Sequence, residues 1–154
     1  MGHKEEISPS DLANLKLRLN QPLDAYQQTI ATGIIGARII DVPSYARDVF
    51  TKVTTTGTVS DTVLMPKVIR KGETAAADLL NTGVTTDDAA ADGTEKKSVD
   101  FVSEALRKLE PGDTVYFEVT GAPTGGVGLF ATMNIDQRID DLTTRPLNIG
   151  GSIG

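Results

Sequence analysis

The sequence predicts an all-β fold, an antiparallel β-sandwich, and three observations carry that prediction. From Ile34 onward, short β-prone runs follow one another, each closed by turn residues: Pro43-Ser44, Ser60-Asp61, Lys71-Gly72 and Pro111-Gly112-Asp113. Two of the runs alternate strictly. Val115, Phe117 and Val119 oppose Thr114, Tyr116, Glu118 and Thr120; Leu129, Ala131, Met133 and Ile135 oppose Phe130, Thr132, Asn134 and Asp136. A period of two gives one buried and one wet face. The third observation is the stretch Val49 to Val59, where Val49, Thr51, Val53, Thr55 and Val59 share one parity and Phe50, Lys52 and Thr54 the other. Threonine and valine, branched at Cβ, favour a pleated surface over a helix.

At 154 residues the chain has the length of one ordinary domain. With 39 % apolar residues, 5 % aromatics and no tryptophan, its core is to be built from Val, Ile, Leu and Ala. A net charge of −6 argues against nucleic acid or anionic lipid as partner, because both require clustered Lys and Arg. There is no cysteine, hence no disulfide framework and no thiolate chemistry. The longest uncharged stretch, Ala25 to Ala37, is broken by Gln27, Gln28, Thr29 and two glycines and falls far short of the roughly 20 apolar residues of a membrane helix. The start, Met1-Gly2-His3-Lys4-Glu5-Glu6, has no apolar run of the secretory kind, so the protein is expected to act where it is made or within something larger.

Three segments follow from the texture: an N-terminal arm or short helix over 1–29, a sandwich over 30–136 and a C-terminal arm over 137–154. In the first, Ser10 can cap a helix with Leu12, Leu15 and Leu19 on one face, or Leu15, Leu17 and Leu19 can alternate as a strand; Pro22 stops either. In the second, strands are expected over Ile34–Val42, Val49–Val59, Thr62–Arg70, Ser98–Val102, Thr114–Thr120 and from Leu129. Pro66 confines its strand to an edge or a bulge. Thr74 to Leu80 fits a short helix or an irregular strand, and Ser103 caps about two helical turns reaching Leu109. Residues 73–95 hold Glu73, Asp78, Asp87, Asp88, Asp92 and Glu95 with no basic residue, and Thr85 to Thr94 reads as a long exposed loop. The last two strands are expected to pair as a hairpin through the glycine loop Gly121–Gly128. The tail carries isolated large side chains, Leu142, Leu147, Ile149 and Ile153, in a glycine-rich frame that suits an arm laid into a neighbour's groove.

The chemical motifs fail on their own terms. Gly121 to Gly126 has the glycine spacing of a phosphate loop, but Val127 and Gly128 stand where Lys and Ser/Thr are needed. Gly126-Val127-Gly128-Leu129-Phe130-Ala131 matches a dinucleotide fingerprint, yet alternation follows where a helix must open. Asp88 and Asp92 begin a calcium-loop pattern in which Ala90 replaces a ligand and Val99 the bidentate glutamate. His3 is the only histidine, so no His-based triad or metal cluster exists. The carboxylate pairs Asp113 with Glu118 and Asp140 with Asp141 lie at a turn, on a wet face and in a tail, which suits solubility better than acid–base work. Tyr45, Tyr116, Phe50 and Phe130 would suit a sugar-stacking platform if one sheet face gathered them. No catalytic, cofactor or metal residues are therefore assigned.

The segments "RIIDVPSYARDVFTKVTTTGTVSDT", "PKVIRKGETAAADLL" and "LEPGDTVYFEVTGAPTGGVGLFATMNID" together resemble the small β-sandwich domains of tailed-bacteriophage virion proteins, above all capsid decoration (cement) proteins and head fibres. The resemblance rests on Lys71-Gly72, the polar loop 81–97, Pro111-Gly112-Asp113-Thr114-Val115 and Gly126-Val127-Gly128-Leu129, and covers about two-thirds of the chain. It implies a jelly-roll-like sandwich in a non-enzymatic virion component, commonly trimeric, on the capsid exterior after assembly in the host cytoplasm. The implied partners are the major capsid protein and further copies of the chain, with a fibre-borne carbohydrate-binding module as the other reading. No cofactor is implied.

Overall fold

The computed structural model describes residues 20–138, and within them the chain is two antiparallel sheets packed face to face. In order the elements are β1 (Leu23–Thr29), β2 (Gly33–Ile39), β3 (Ser44–Thr55), β4 (Thr62–Ile69), β5 (Ala76–Asp78), β6 (Val84–Thr86), β7 (Thr94–Ser98), α1 (Glu104–Arg107), β8 (Lys108–Leu109), β9 (Thr114–Gly121) and β10 (Val127–Gln137). One sheet runs β1-β10-β3-β7 with β8 also on β3; the other runs β2-β9-β4-β5 with β6 also on β4. The pairing is nested: β1 with β10, β2 with β9, β3 with β7 and β8, β4 with β5 and β6. One long hairpin, its tip between β4 and β5, has been rolled so that β10 also meets β3 and β9 meets β4.

The alternating strands supply the core. Val49 and Val53 of β3 and Leu129, Met133 and Ile135 of β10 face Leu64 and Val68 of β4 and Val115, Phe117 and Val119 of β9, all buried. Burying each such side chain contributes about 1.5–3 kcal/mol, so the period read in the sequence is also the main source of stability. In β3 the parity changes once. Asn134 pairs with Asp48 and Ile135 with Ala46, leaving Arg47 as an extra residue that turns outward. Ser44 and Ala46 can therefore be buried on the same face as Val49 and Val53.

Several expectations are corrected. β9 and β10 do not form a hairpin: they lie in different sheets, and residues 122–126 cross the sandwich between them. Alternation shows that each strand has a buried face, and both layers of a sandwich bury a face against the same core. The crossing is pinned by reciprocal hydrogen bonds between Thr58 and Thr124, each 2.9 Å. Gly128, at φ +74, lies so close to Thr54 that an added Cβ would come within 2.5 Å of its hydroxyl oxygen.

Pro66 is not on an edge. β4 is paired on both sides, but its second partner is interrupted: β5 pairs residues 67–69 and β6 pairs 62–64. The Pro66 carbonyl accepts from Leu79 N (2.9 Å), so the ring faces that interruption and removes no ladder bond.

The sandwich also begins earlier than residue 30, since β1 takes residues 23–29 into the first sheet. β3 starts at Ser44 and ends at Thr55; Val59 lies beyond it at φ +80 and is exposed. Thr74–Leu80 contributes the short strand β5, and the exposed loop is shortened by β6, whose Thr86 is buried. The strand expected at Ser98–Val102 lies at Thr94–Ser98, with Phe101 making a single bridge to Leu80. Ser103 does cap α1, its hydroxyl accepting from Leu106 N, but Arg107 ends the helix after one turn and β8 follows. The leucine run Leu12–Leu19 and the tail beyond residue 138 lie outside the described residues.

Candidate interaction surface

The two ends of the sandwich differ. At one, Asn20 bridges Asp136, Gln21 N donates to Ile135 O (2.8 Å) and Arg138 N donates to Pro43 O (3.1 Å). Both terminal segments therefore join the sandwich side by side. All the described arginines work at this end. Arg38 donates to the Gln21 carbonyl, Arg47 pairs with Asp48 and Asp136, and Arg138 pairs with Glu110 (2.8 Å). Arg107 lies over the rings of Tyr45 (4.6 Å) and Phe101 (4.3 Å) while donating to the carbonyls of Ala46 and Arg47.

Arg70 completes the set through Asp113, the most buried acid described. One Asp113 oxygen accepts from Arg70 Nη1 (2.7 Å) and Glu110 N (2.8 Å), the other from Lys71 N (2.9 Å). Burial pushes this carboxyl up, but the Glu110 and Lys71 amides and the Arg70 guanidinium outweigh it and hold it below the ordinary carboxylate value. At the same end, Gln137 Oε1 and Arg138 Nε are buried and find no hydrogen-bond partner among the described residues. The opposite end carries the glycine-rich crossing and the exposed carboxylates Asp61 and Asp87, with Asp88 beside them.

The carboxylates singled out by the sequence do not converge. Asp113 is committed to the turn, whereas Glu118 lies on the outer face of β9, paired with Lys67 (2.8 Å), which also meets Asp78 (3.4 Å). The hydrogen bond to Glu118 raises the Lys67 ammonium above its ordinary value, against the opposing effect of burial. Asp92 does not share a loop site with Asp88: its carboxylate accepts from the Thr56 amide (3.1 Å), while Asp88 N donates to Asp61. Asp61, Asp87 and Asp88 do bring oxygens within 4.8 Å of one another, a proximity that the sequence spacing did not reveal. His3, Asp140 and Asp141 lie outside the described residues.

The expected aromatic platform is split. Tyr45 packs under Arg107 and its hydroxyl donates to Glu104 (2.7 Å); Tyr116 is buried in the second sheet between Ala37 and Lys67 rather than on a wet face. Phe50 and Phe130 do share the outer face of the first sheet. They are joined by Tyr26, from the segment 1–29 expected as an arm. Tyr26 stands opposite Phe130, ring centroids 4.7 Å apart and tilted by 47°. Two shallow open clefts flank Phe130, about 350 Å³ beside Tyr26, Asp24 and Thr132 and about 120 Å³ beside Phe50, Lys52 and Glu95. Asp24 accepts from the Thr132 hydroxyl (2.7 Å), and Lys97 lies 5.3 Å above the Phe50 ring.

No family model and no curated protein matches the chain. Among solved structures it is similar to a chain from the capsid of Ralstonia phage GP4, at 13 % identity over 77 % of this chain and 83 % of that one, with a TM-score of 0.44.

Proposed function

We propose that the protein is a non-enzymatic virion component that decorates and stabilises a phage capsid, with the terminal segments 1–19 and 139–154 as the arms that grip neighbouring subunits. The observation that carries this reading is the shared exit: both segments join one end of the sandwich, through Asn20 and Arg138. That end is braced by arginines paired with Asp113, Asp136 and Glu110. The nested strand order is read as a jelly roll, two Greek keys wrapped from one long hairpin, in line with the sequence resemblance to decoration proteins. In this reading the partners are the major capsid protein and two further copies of the chain, and the site of action is the capsid exterior after assembly in the host cytoplasm. Weak contacts repeated over a symmetric shell add up to firm attachment through avidity.

Truncation tests it. Removing 1–19 or 139–154 leaves β1 to β10 intact, so circular dichroism and thermal unfolding are expected to stay close to those of the full chain. Co-sedimentation with mature heads of the virus that encodes the protein is expected to fall to background. Full stoichiometric binding by both truncated forms would refute the role of the arms, and no binding by the full chain would refute decoration.

A further inference from the structure

On the outer face of the first sheet, rings and charged side chains are interleaved. One row across the strands reads Tyr26, Phe130, Lys52, Glu95, and the next Asp24, Thr132, Phe50, Lys97. The three exposed rings stand on three adjacent strands and line the clefts on either side of Phe130. Asp24 and Glu95 balance Lys52 and Lys97, so these two rows carry no net charge. An uncharged occupant with large aliphatic side chains suits such a face, because a charge laid over the rings would lose water without gaining a partner.

The chain itself supplies such a segment within reach. β10 ends at Gln137, and from Arg138 back to Phe130 is a path of about 26 Å, at about 3.3 Å per residue of strand. An extended chain covers at most about 3.3–3.6 Å per residue, so Leu142, at most about 14 Å beyond Arg138, falls short. Leu147 and Ile149, at up to about 30 and 37 Å, arrive with length to spare for the reversal. Pro146-Leu147-Asn148-Ile149 carries no charge, and Leu147 and Ile149, two positions apart, face one side of an extended segment. From the other terminus, the residues far enough from Asn20 to return to Tyr26 are 1–14, in which Lys4, Glu5, Glu6 and Asp11 surround Ile7 and Leu12. Charge and length together therefore select the C-terminal segment.

We propose that residues 146–149 fold back across the outer face of their own first sheet in the free protein, with Leu147 and Ile149 seated in the clefts beside Phe130. The inference goes beyond decoration: it concerns the chain before it meets a capsid, and it holds whether or not the arm is later handed to a neighbour.

Methyl-labelled NMR of the full chain, without capsids, tests it. The Leu147 and Ile149 methyls are expected to lie upfield of their random-coil positions, because they sit over ring faces, and to show NOEs to the Tyr26 and Phe130 rings at every protein concentration. Phe130→Ser is expected to return both methyl sets to random-coil positions with an unchanged circular dichroism spectrum. Leu147→Ser, which changes nothing in β1 to β10, is expected to abolish the Ile149 NOEs. Random-coil methyl shifts in the wild type overturn the proposal. So do ring NOEs to Ile7 or Leu12 in place of Leu147 and Ile149, which would make the N-terminal arm the occupant, and ring NOEs seen only between labelled and unlabelled chains, which would make it a second copy.

Discussion

Asp113→Asn removes a charge from the turn that holds β4, β8 and β9 together, and the loss can be worked from the geometry. The carboxylate accepts three hydrogen bonds, two on the oxygen facing Arg70 and Glu110 N and one on the oxygen facing Lys71 N. An asparagine carbonyl can replace one of these oxygens but not both. With the carbonyl toward Arg70, the amide NH2 meets the Lys71 N–H. One charge-assisted bond is lost, at about 1.5–3 kcal/mol, the other two weaken, and a donor is left buried without an acceptor. The side chain is only 3 % exposed, so water offers little relief. The expected cost is about 3 kcal/mol, or about 12 °C in Tm for a domain of this size. The folded carboxyl is held below its ordinary value of about 3.9, so its contribution is complete above that value and is lost as pH falls through the folded pKa. Asparagine does not titrate. Thermal unfolding by circular dichroism should therefore show a gap between wild type and Asp113→Asn that is widest near about pH 7 and narrows below about pH 4. A cost under about 1 kcal/mol at neutral pH, or a gap that does not change with acid, would refute the reasoning.

Two further substitutions test the strand irregularities. Gly36→Ala forces a left-handed alanine against Ala25 and is expected to cost about 2–4 kcal/mol in urea unfolding; a loss below about 1 kcal/mol would mean that the bulge of β2 relaxes freely. Pro66→Ala adds an N–H that faces the interruption between β5 and β6, so only the unfolded-state entropy changes and the cost is expected to stay within about 1 kcal/mol; clear stabilisation would place Pro66 in a continuous ladder instead.

Much of the fold was legible in the chain. Val115-Phe117-Val119, Leu129-Ala131-Met133-Ile135 and Val49-Thr51-Val53 are buried as their alternation requires, and Ser103 caps a helix as its position suggests. A period of two reports that a strand has one buried face, because neighbouring side chains point to opposite sides of the pleat. It is silent on which sheet the strand joins. Placing β9 and β10 in different sheets required the long-range partners β4 and β3, so the glycine loop could be recognised as a turn but not as a crossing. Pro66 likewise announced a gap in hydrogen bonding, whereas the gap turned out to be in the partner of a central strand.

The candidate surface was less legible. Tyr26 carried no local signal, since one exposed aromatic in an uncharged stretch is ordinary; its meaning comes from Phe130, more than a hundred residues away and directly opposite in register. The sequence alone determined composition, charge, the buried faces of the long strands and the failure of each catalytic motif, all of which depend on residues close together in the chain. Only the tertiary structure decided which strands share a sheet, that Asn20 and Arg138 lie at one end of the sandwich, and that Tyr26, Phe50 and Phe130 share one outer face. Each of those properties arises from contacts between distant segments, fixed when the nested hairpin rolls up and buries both sheets against one core.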